Sequence, residues 1–162
     1  VTTRPWPGEN YPRLPSLPTY VRAEMGGEIN RKIVRDAYVK LDAKRRNVDW
    51  FAAIEVLEKE KAIWSLLSCL AHPSDDVRIY ALRSLEKIKD RKSVPFILIY
   101  AEYMAELEDG SENATIHGVI HSTIAKTLSA ITQIRIEING QDPEGLKRAI
   151  RRWRKWTLEN EK

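Results

Sequence analysis

The stretch HPSDDVRIYALRSLEKIKDRKSVPFILIY, residues 72–100, reads as two helices joined by a tight turn. Val77, Ala81, Leu85 and Ile88 recur at i, i+4, i+8 and i+11, the spacing of one face of an α-helix. Ser74, Asp75 and Asp76 place capping oxygens and negative charge at its first turn, where the unsatisfied N–H groups and the helix dipole favour them. Asp90-Arg91-Lys92 makes the turn. Ser93 can cap a second helix, whose first turn tolerates Pro95 because that position has no helical N–H to lose. Phe96, Ile97, Tyr100, Tyr103, Met104 and Leu107 are expected on its apolar side.

The combination Asp76-Val77-Arg78, Ala81, Leu85, Ile88, Asp90, Ser93-Val94-Pro95 and Ile97 resembles a HEAT-type repeat of the short bacterial kind. The resemblance implies an all-α architecture, an alpha-alpha superhelix of about three helical pairs. It also implies that Arg78 and Asp90 join successive repeats through side-chain to backbone and charge contacts. It implies no particular activity, because such solenoids carry many unrelated functions.

Working upstream, the 49 residues before Trp50 fall into two parts. Residues 1–27 read as an extended arm, with five of the eight prolines of the chain in its first 20 positions. Trp6, Tyr11 and Leu14 are expected to pin it as a cover on the first repeat. Pro12-Arg13-Leu14-Pro15 and Pro15-Ser16-Leu17-Pro18 also fit PxxP ligands of an SH3-like partner. A helix follows over about Glu28 to Arg46, with Ile33, Val34, Ala37, Tyr38 and Leu41 as its buried stripe and Asn47 at its end. From the cap at Asp49, one long helix is expected to about Ala71, with Trp50, Ala53, Ile54, Leu57, Trp64 and Leu67 on one face. A break at Glu58 to Lys61 is the alternative. Pro73 stops it.

Downstream, Glu108 to Asn113 is a polar turn. A helix over about Ala114 to Thr132 follows, facing the core with Ile116, Ile120, Ile124, Leu128 and Ile131. Ile134-Arg135-Ile136-Glu137-Ile138 alternates with period two, as a short extended segment does, and Asn139-Gly140 is a turn. Asp142-Pro143-Glu144 starts a last helix that runs to about Leu158. The helical domain 28–162 thus divides into repeats at about 29–72, 73–109 and 111–159. Each leaves an apolar face open until a neighbour stacks on it. Ile131-Thr132, Asn139 to Pro143, Trp153 and Trp156 are similar to the tryptophan-bearing cap of some exported bacterial HEAT-like proteins. With Val1 in place of a starting Met, that leans the expected location towards a bacterial cell envelope.

A chain of 162 residues buries roughly 70% of its unfolded surface, enough for a core without disulfide or metal support. Cys69, the single cysteine, sits in the apolar run Trp64 to Leu70 and reads as a core residue. No run approaches the roughly 20 apolar residues of a membrane span. Charged residues are 31% of the chain, and the formal net charge is +4.

On the last helix, Leu146, Ala149, Ile150, Trp153 and Trp156 cluster on one side, and Lys147, Arg148, Arg151, Arg152, Arg154 and Lys155 fill the other. Such a face is either solvated surface or a site for phosphates, anionic headgroups or an acidic protein. His117 and His121 have the i, i+4 spacing of two zinc ligands, yet no third ligand is placed beside them, so no metal or other cofactor is expected. No phosphate loop, nucleophile elbow or Cys-His pair is present. The expectation is a non-enzymatic protein-interaction or scaffold module. Binding of nucleic acid through the basic helix is the alternative. The resemblance also permits a DNA glycosylase or bilin lyase type of enzyme, against which the four tryptophans Trp50, Trp64, Trp153 and Trp156 all fit core stripes.

Overall fold

The computed structural model describes residues 50–72, 74–106, 114–138 and 143–160. Among them the chain is all helical, with no β-strand. The six α-helices are α1 (Trp50–Lys59), α2 (Ile63–Ser68), α3 (Asp75–Ile88), α4 (Val94–Glu106), α5 (Ala114–Thr132) and α6 (Pro143–Asn160), with 3-10 turns at Cys69–Ala71 and Arg91–Ser93. None is long and apolar enough to cross a membrane. The proline-rich arm, the expected helix at 28–46, Asp49, Pro73, Leu107, the 108–113 turn and the 139–142 turn lie outside the described residues. The chain divides into two compact units, Val1–Ile88 and Lys89–Lys162, and the division falls between the two helices of the central pair.

In the first unit α1, α2 and α3 pack on one another. The single long helix expected over 49–71 is broken, at the alternative position. Lys61 takes a left-handed φ of 54°. The N–H of Ala62 donates to the carbonyl of Leu57 at 2.9 Å and that of Lys61 to Glu58 at 3.0 Å, the 6→1 and 5→2 pair of a Schellman ending. Ala62 and Leu57, the two residues that such an ending brings together, are both fully buried. On an unbroken helix at 100° per residue, Leu66 and Leu70 would fall about 180° and 220° round from Leu57, facing away from the core. The break rotates the second stripe, so Leu66, Leu67 and Leu70 are buried along with Ile54 and Leu57.

On α3, Val77, Ala81 and Leu85 are buried as expected, joined by Ile79, Leu82 and Ser84, whereas Ile88 is half-buried. Its start is ordered locally. The N–H of Ser74 donates to Nδ1 of His72 at 3.0 Å, and the Ser74 carbonyl accepts from the N–H of Arg78 at 3.2 Å. Lys87 of α3 reaches Glu58 of α1 at 3.7 Å.

In the second unit α4 packs on α5 and α6, and α5 packs on α6. Val94, Ile97, Leu98, Tyr100, Ala101, Met104 and Ala105 are buried on α4, while Phe96 and Tyr103 are only half-buried. α5 has the expected bounds, with Ile120, Ile124, Leu128 and Ile131 buried. Its buried hydroxyls are satisfied along the helix: Thr123, Thr127 and Thr132 donate to the carbonyls of Val119, Thr123 and Leu128 at 2.7, 2.8 and 2.6 Å. Residues 134–138 are non-helical and alternate half-buried with exposed, the pattern of an extended strap. Ser129 holds the strap through both backbone groups of Ile136, and the indole N–H of Trp153 donates to the carbonyl of Ile134 at 3.4 Å.

Candidate anion-docking face

The C-terminal helix α6 is positioned by its apolar stripe. Leu146, Ala149, Ile150 and Trp153 are buried, with Trp153 fully enclosed. That anchoring leaves Lys147, Arg148, Arg151, Arg152, Arg154 and Lys155 exposed. The six cations share the helix with only Glu144 and Glu159, a net of +4, which equals the formal net charge of the whole chain. The rest of the sequence is therefore electroneutral. Among the described helices α6 has the largest positive excess; residues 28–46, outside the described residues, also sum to +4.

Lys147 and Arg154 are held by carboxylates. Lys147 pairs with Glu144 at 3.3 Å, one turn away. Arg154 reaches across to α4, where its Nε donates to Oε1 of Glu102 at 2.6 Å and its Nη2 engages the same oxygen. Arg151, Arg152 and Lys155 have no carboxylate partner among the described residues. At 100° per residue Arg152, Lys155 and Arg151 lie within about 100° of one another around the axis, so all three can meet a single surface. Leu158, 71% exposed, lies at the same side near the end of the helix.

The fold adds residues that the helix alone does not reveal. Arg91 and Lys92 are exposed on the 3-10 turn before α4. The turn is fixed by Asp90, whose Oδ1 accepts from the N–H of Lys92 at 2.8 Å and whose carbonyl accepts from the Ser93 hydroxyl at 2.6 Å. It carries the Arg91 guanidinium over the ring of Trp156, 5.8 Å from the centroid. Trp156 is half-buried, so it departs from the core position expected for it. Its neighbour one turn back is Arg152, and the basic face therefore has an aromatic edge capped by a further arginine. Local periodicity cannot reveal a meeting of residues 65 positions apart; the only sequence signal is a second cluster of cations at 89–92.

The remaining sequence-derived positions have local roles. Asp76 is exposed in the first turn of α3. Arg78 engages Asp75 through Nη2, and its Nε is buried without a hydrogen-bond partner among the described residues. Asp90 organises its own turn, and Pro95 is half-buried at the second position of α4. His121 is buried with Nε2 3.3 Å from the carbonyl of Met104, and His117 is half-buried one turn earlier. Among the described residues no group of three His, Cys, Asp or Glu side chains is placed to hold a metal ion. Cys69 is buried. Trp50 and Trp64 are half-buried instead of lying within the core; Trp50 packs on Phe51 and Tyr80 with ring centroids 6.1 and 5.4 Å away. Comparisons with protein-family models, with curated proteins and with solved structures found no match.

Proposed function

We propose that this chain is a non-enzymatic binding module, a HEAT-like helical repeat that docks an anionic macromolecular surface on the exposed side of α6. The observation that carries the reading is the exposed net +4 of α6, with Arg151, Arg152 and Lys155 lacking carboxylates among the described residues. A like-charged array is costly in self-repulsion and is relieved when a polyanion displaces its counterions. Two features support the helical-repeat scaffold. These are the burial of Val77, Ala81 and Leu85 and the Asp90–Ser93 turn.

The test is retention on a heparin matrix in a salt gradient. Wild type is expected to elute at higher salt than Arg151→Glu/Arg152→Glu. A matched control, Lys126→Glu/Arg135→Glu, removes the same charge from exposed positions elsewhere in the unit and is expected to elute near wild type. Equal losses in the two double variants would show that net charge alone governs retention, and the docking face would be abandoned.

A further inference from the structure

We propose that the occupant of this face is a single-stranded nucleic acid, whose unpaired bases stack at the Arg91–Trp156 pair while its phosphates take the α6 cations. The inference rests on the docking face proposed above and goes beyond it by naming the partner. Its starting point is a place where the basic surface meets an accessible ring. The Arg91 guanidinium lies 5.8 Å from the Trp156 centroid, and Arg91 is exposed while Trp156 is half-buried. A guanidinium over an indole is held there by the ring quadrupole and presents a flat, charged surface. Bases splayed out of a strand stack on such planes and on aromatic rings, whichever base they are.

The surroundings fit a strand running away from that platform. Going round α6 from Trp156, Arg152, Arg148, Lys155 and Arg151 follow in order within about 140° at 100° per residue. Lys92 flanks the platform on the other element. The platform is also preorganised: the Asp90 carboxylate and the Ser93 hydroxyl fix the turn that carries Arg91, and Trp153, three residues before Trp156, anchors the helix in the core. Little ordering remains to be done at the moment of binding.

Alternative partners use only part of this arrangement. A duplex keeps its base faces stacked internally and would contact the cations alone. An acidic protein surface offers carboxylates, which pair with the in-plane N–H groups of the arginines and leave the planar faces of the Arg91–Trp156 pair unused. A half-buried ring edged by arginines is therefore explained by a partner that brings both phosphates and exposed planar faces.

The experiment measures fluorescence anisotropy of labelled oligothymidylate, oligouridylate and a duplex of equal length against the full chain, with poly-L-glutamate as competitor. Tighter binding of either single strand than of the duplex is expected, and the better of the two identifies DNA or RNA as the source. Trp156→Leu is expected to weaken single-strand binding roughly 5- to 100-fold, Trp156→Phe to retain most of it, and Arg91→Ala, on an exposed turn, to weaken it while leaving the helical circular dichroism unchanged. Duplex binding should respond to Arg151→Glu/Arg152→Glu but not to Trp156→Leu. Equal affinity for single strand and duplex, or single-strand binding indifferent to both Arg91→Ala and Trp156→Leu, overturns the inference while the docking face stands. Displacement by poly-L-glutamate as effective as by unlabelled oligothymidylate assigns an acidic protein and overturns it too. Absence of binding to every anion at low salt removes the docking face itself.

Discussion

The two compact units bury similar apolar side chains but treat charge differently. Over their full lengths Val1–Ile88 has 15 cations against 12 carboxylates and Lys89–Lys162 has 12 against 11; the difference is one of placement, since α6 alone holds six cations against two carboxylates. In the first, Arg78 pairs with Asp75, Lys87 with Glu58, and Arg83 lies over the Tyr80 ring at 5.1 Å. In the second, only part of the α6 array is matched. A folded unit needs its apolar stripe filled, and charge matching contributes little at an exposed surface. A partly matched array on an otherwise ordinary helix is thus a feature that folding does not require, and the docking proposal is built on it.

The largest effects are expected where the two units are alike, in their cores. Trp153 is fully enclosed and also donates to the strap at Ile134, so Trp153→Ala should cost about 3 to 5 kcal/mol. Leu85, almost completely buried on α3, should cost about 2 to 5 kcal/mol as Leu85→Ala. Stacked repeats unfold together because each supplies its neighbour with a covering face. Urea denaturation followed by circular dichroism and by tryptophan fluorescence is therefore expected to show one transition, moved by either substitution. Two transitions, each moved by one substitution alone, would make the units independent and break the stacked-repeat proposal.

A smaller effect joins stability to binding. Glu102 holds Arg154 to α4, with the two side chains 31% and 48% exposed. Screening limits such a pair, and Glu102→Gln should lower stability by less than about 1 kcal/mol, the difference shrinking as salt is raised. The same substitution releases a cation into the basic face. Later elution from heparin is expected, the opposite direction from Arg151→Glu/Arg152→Glu. Unchanged elution would place Arg154 outside the surface that meets the anion.

Much of this was legible in the sequence because it is local. The Ala114 to Thr132 helix follows from its apolar spacing, the start of α6 from Pro143, and the basic side of α6 from the same periodicity that buries Trp153. The strap at 134–138 was legible in its alternation. What the sequence did not disclose depends on tertiary contact. The aromatic edge of the docking face needs Arg91 and Trp156, which no local pattern links. Trp50 and Trp156 fit helical stripes by spacing and yet remain half-buried, Trp156 at the border of its stripe and Trp50 at the first residue of α1. The helix end after α1 was legible only as an alternative, because Lys61 takes the left-handed conformation that glycine would have signalled; Lys89 and Gln133 do the same after α3 and α5, with φ of 54°, 57° and 64° for the three.

Those three positions supply the smallest effect and the finest comparison. A residue with a Cβ in the left-handed region crowds its own carbonyl, at a cost of roughly 1 to 2 kcal/mol that glycine avoids. Glycine returns part of that gain through the larger entropy of its unfolded chain. Lys61→Gly should therefore stabilise by only about 0.5 kcal/mol, measured as a shift of the urea midpoint, since the Schellman bonds from Lys61 and Ala62 persist. Lys61→Ala is the control, keeping the Cβ and removing the charge, and should gain nothing. If instead Lys61→Gly destabilises and Lys61→Ala does not, residues 50–68 are held as one continuous helix in solution. The rotation that brings Leu66 and Leu70 under the same cover as Leu57 would then have to arise elsewhere.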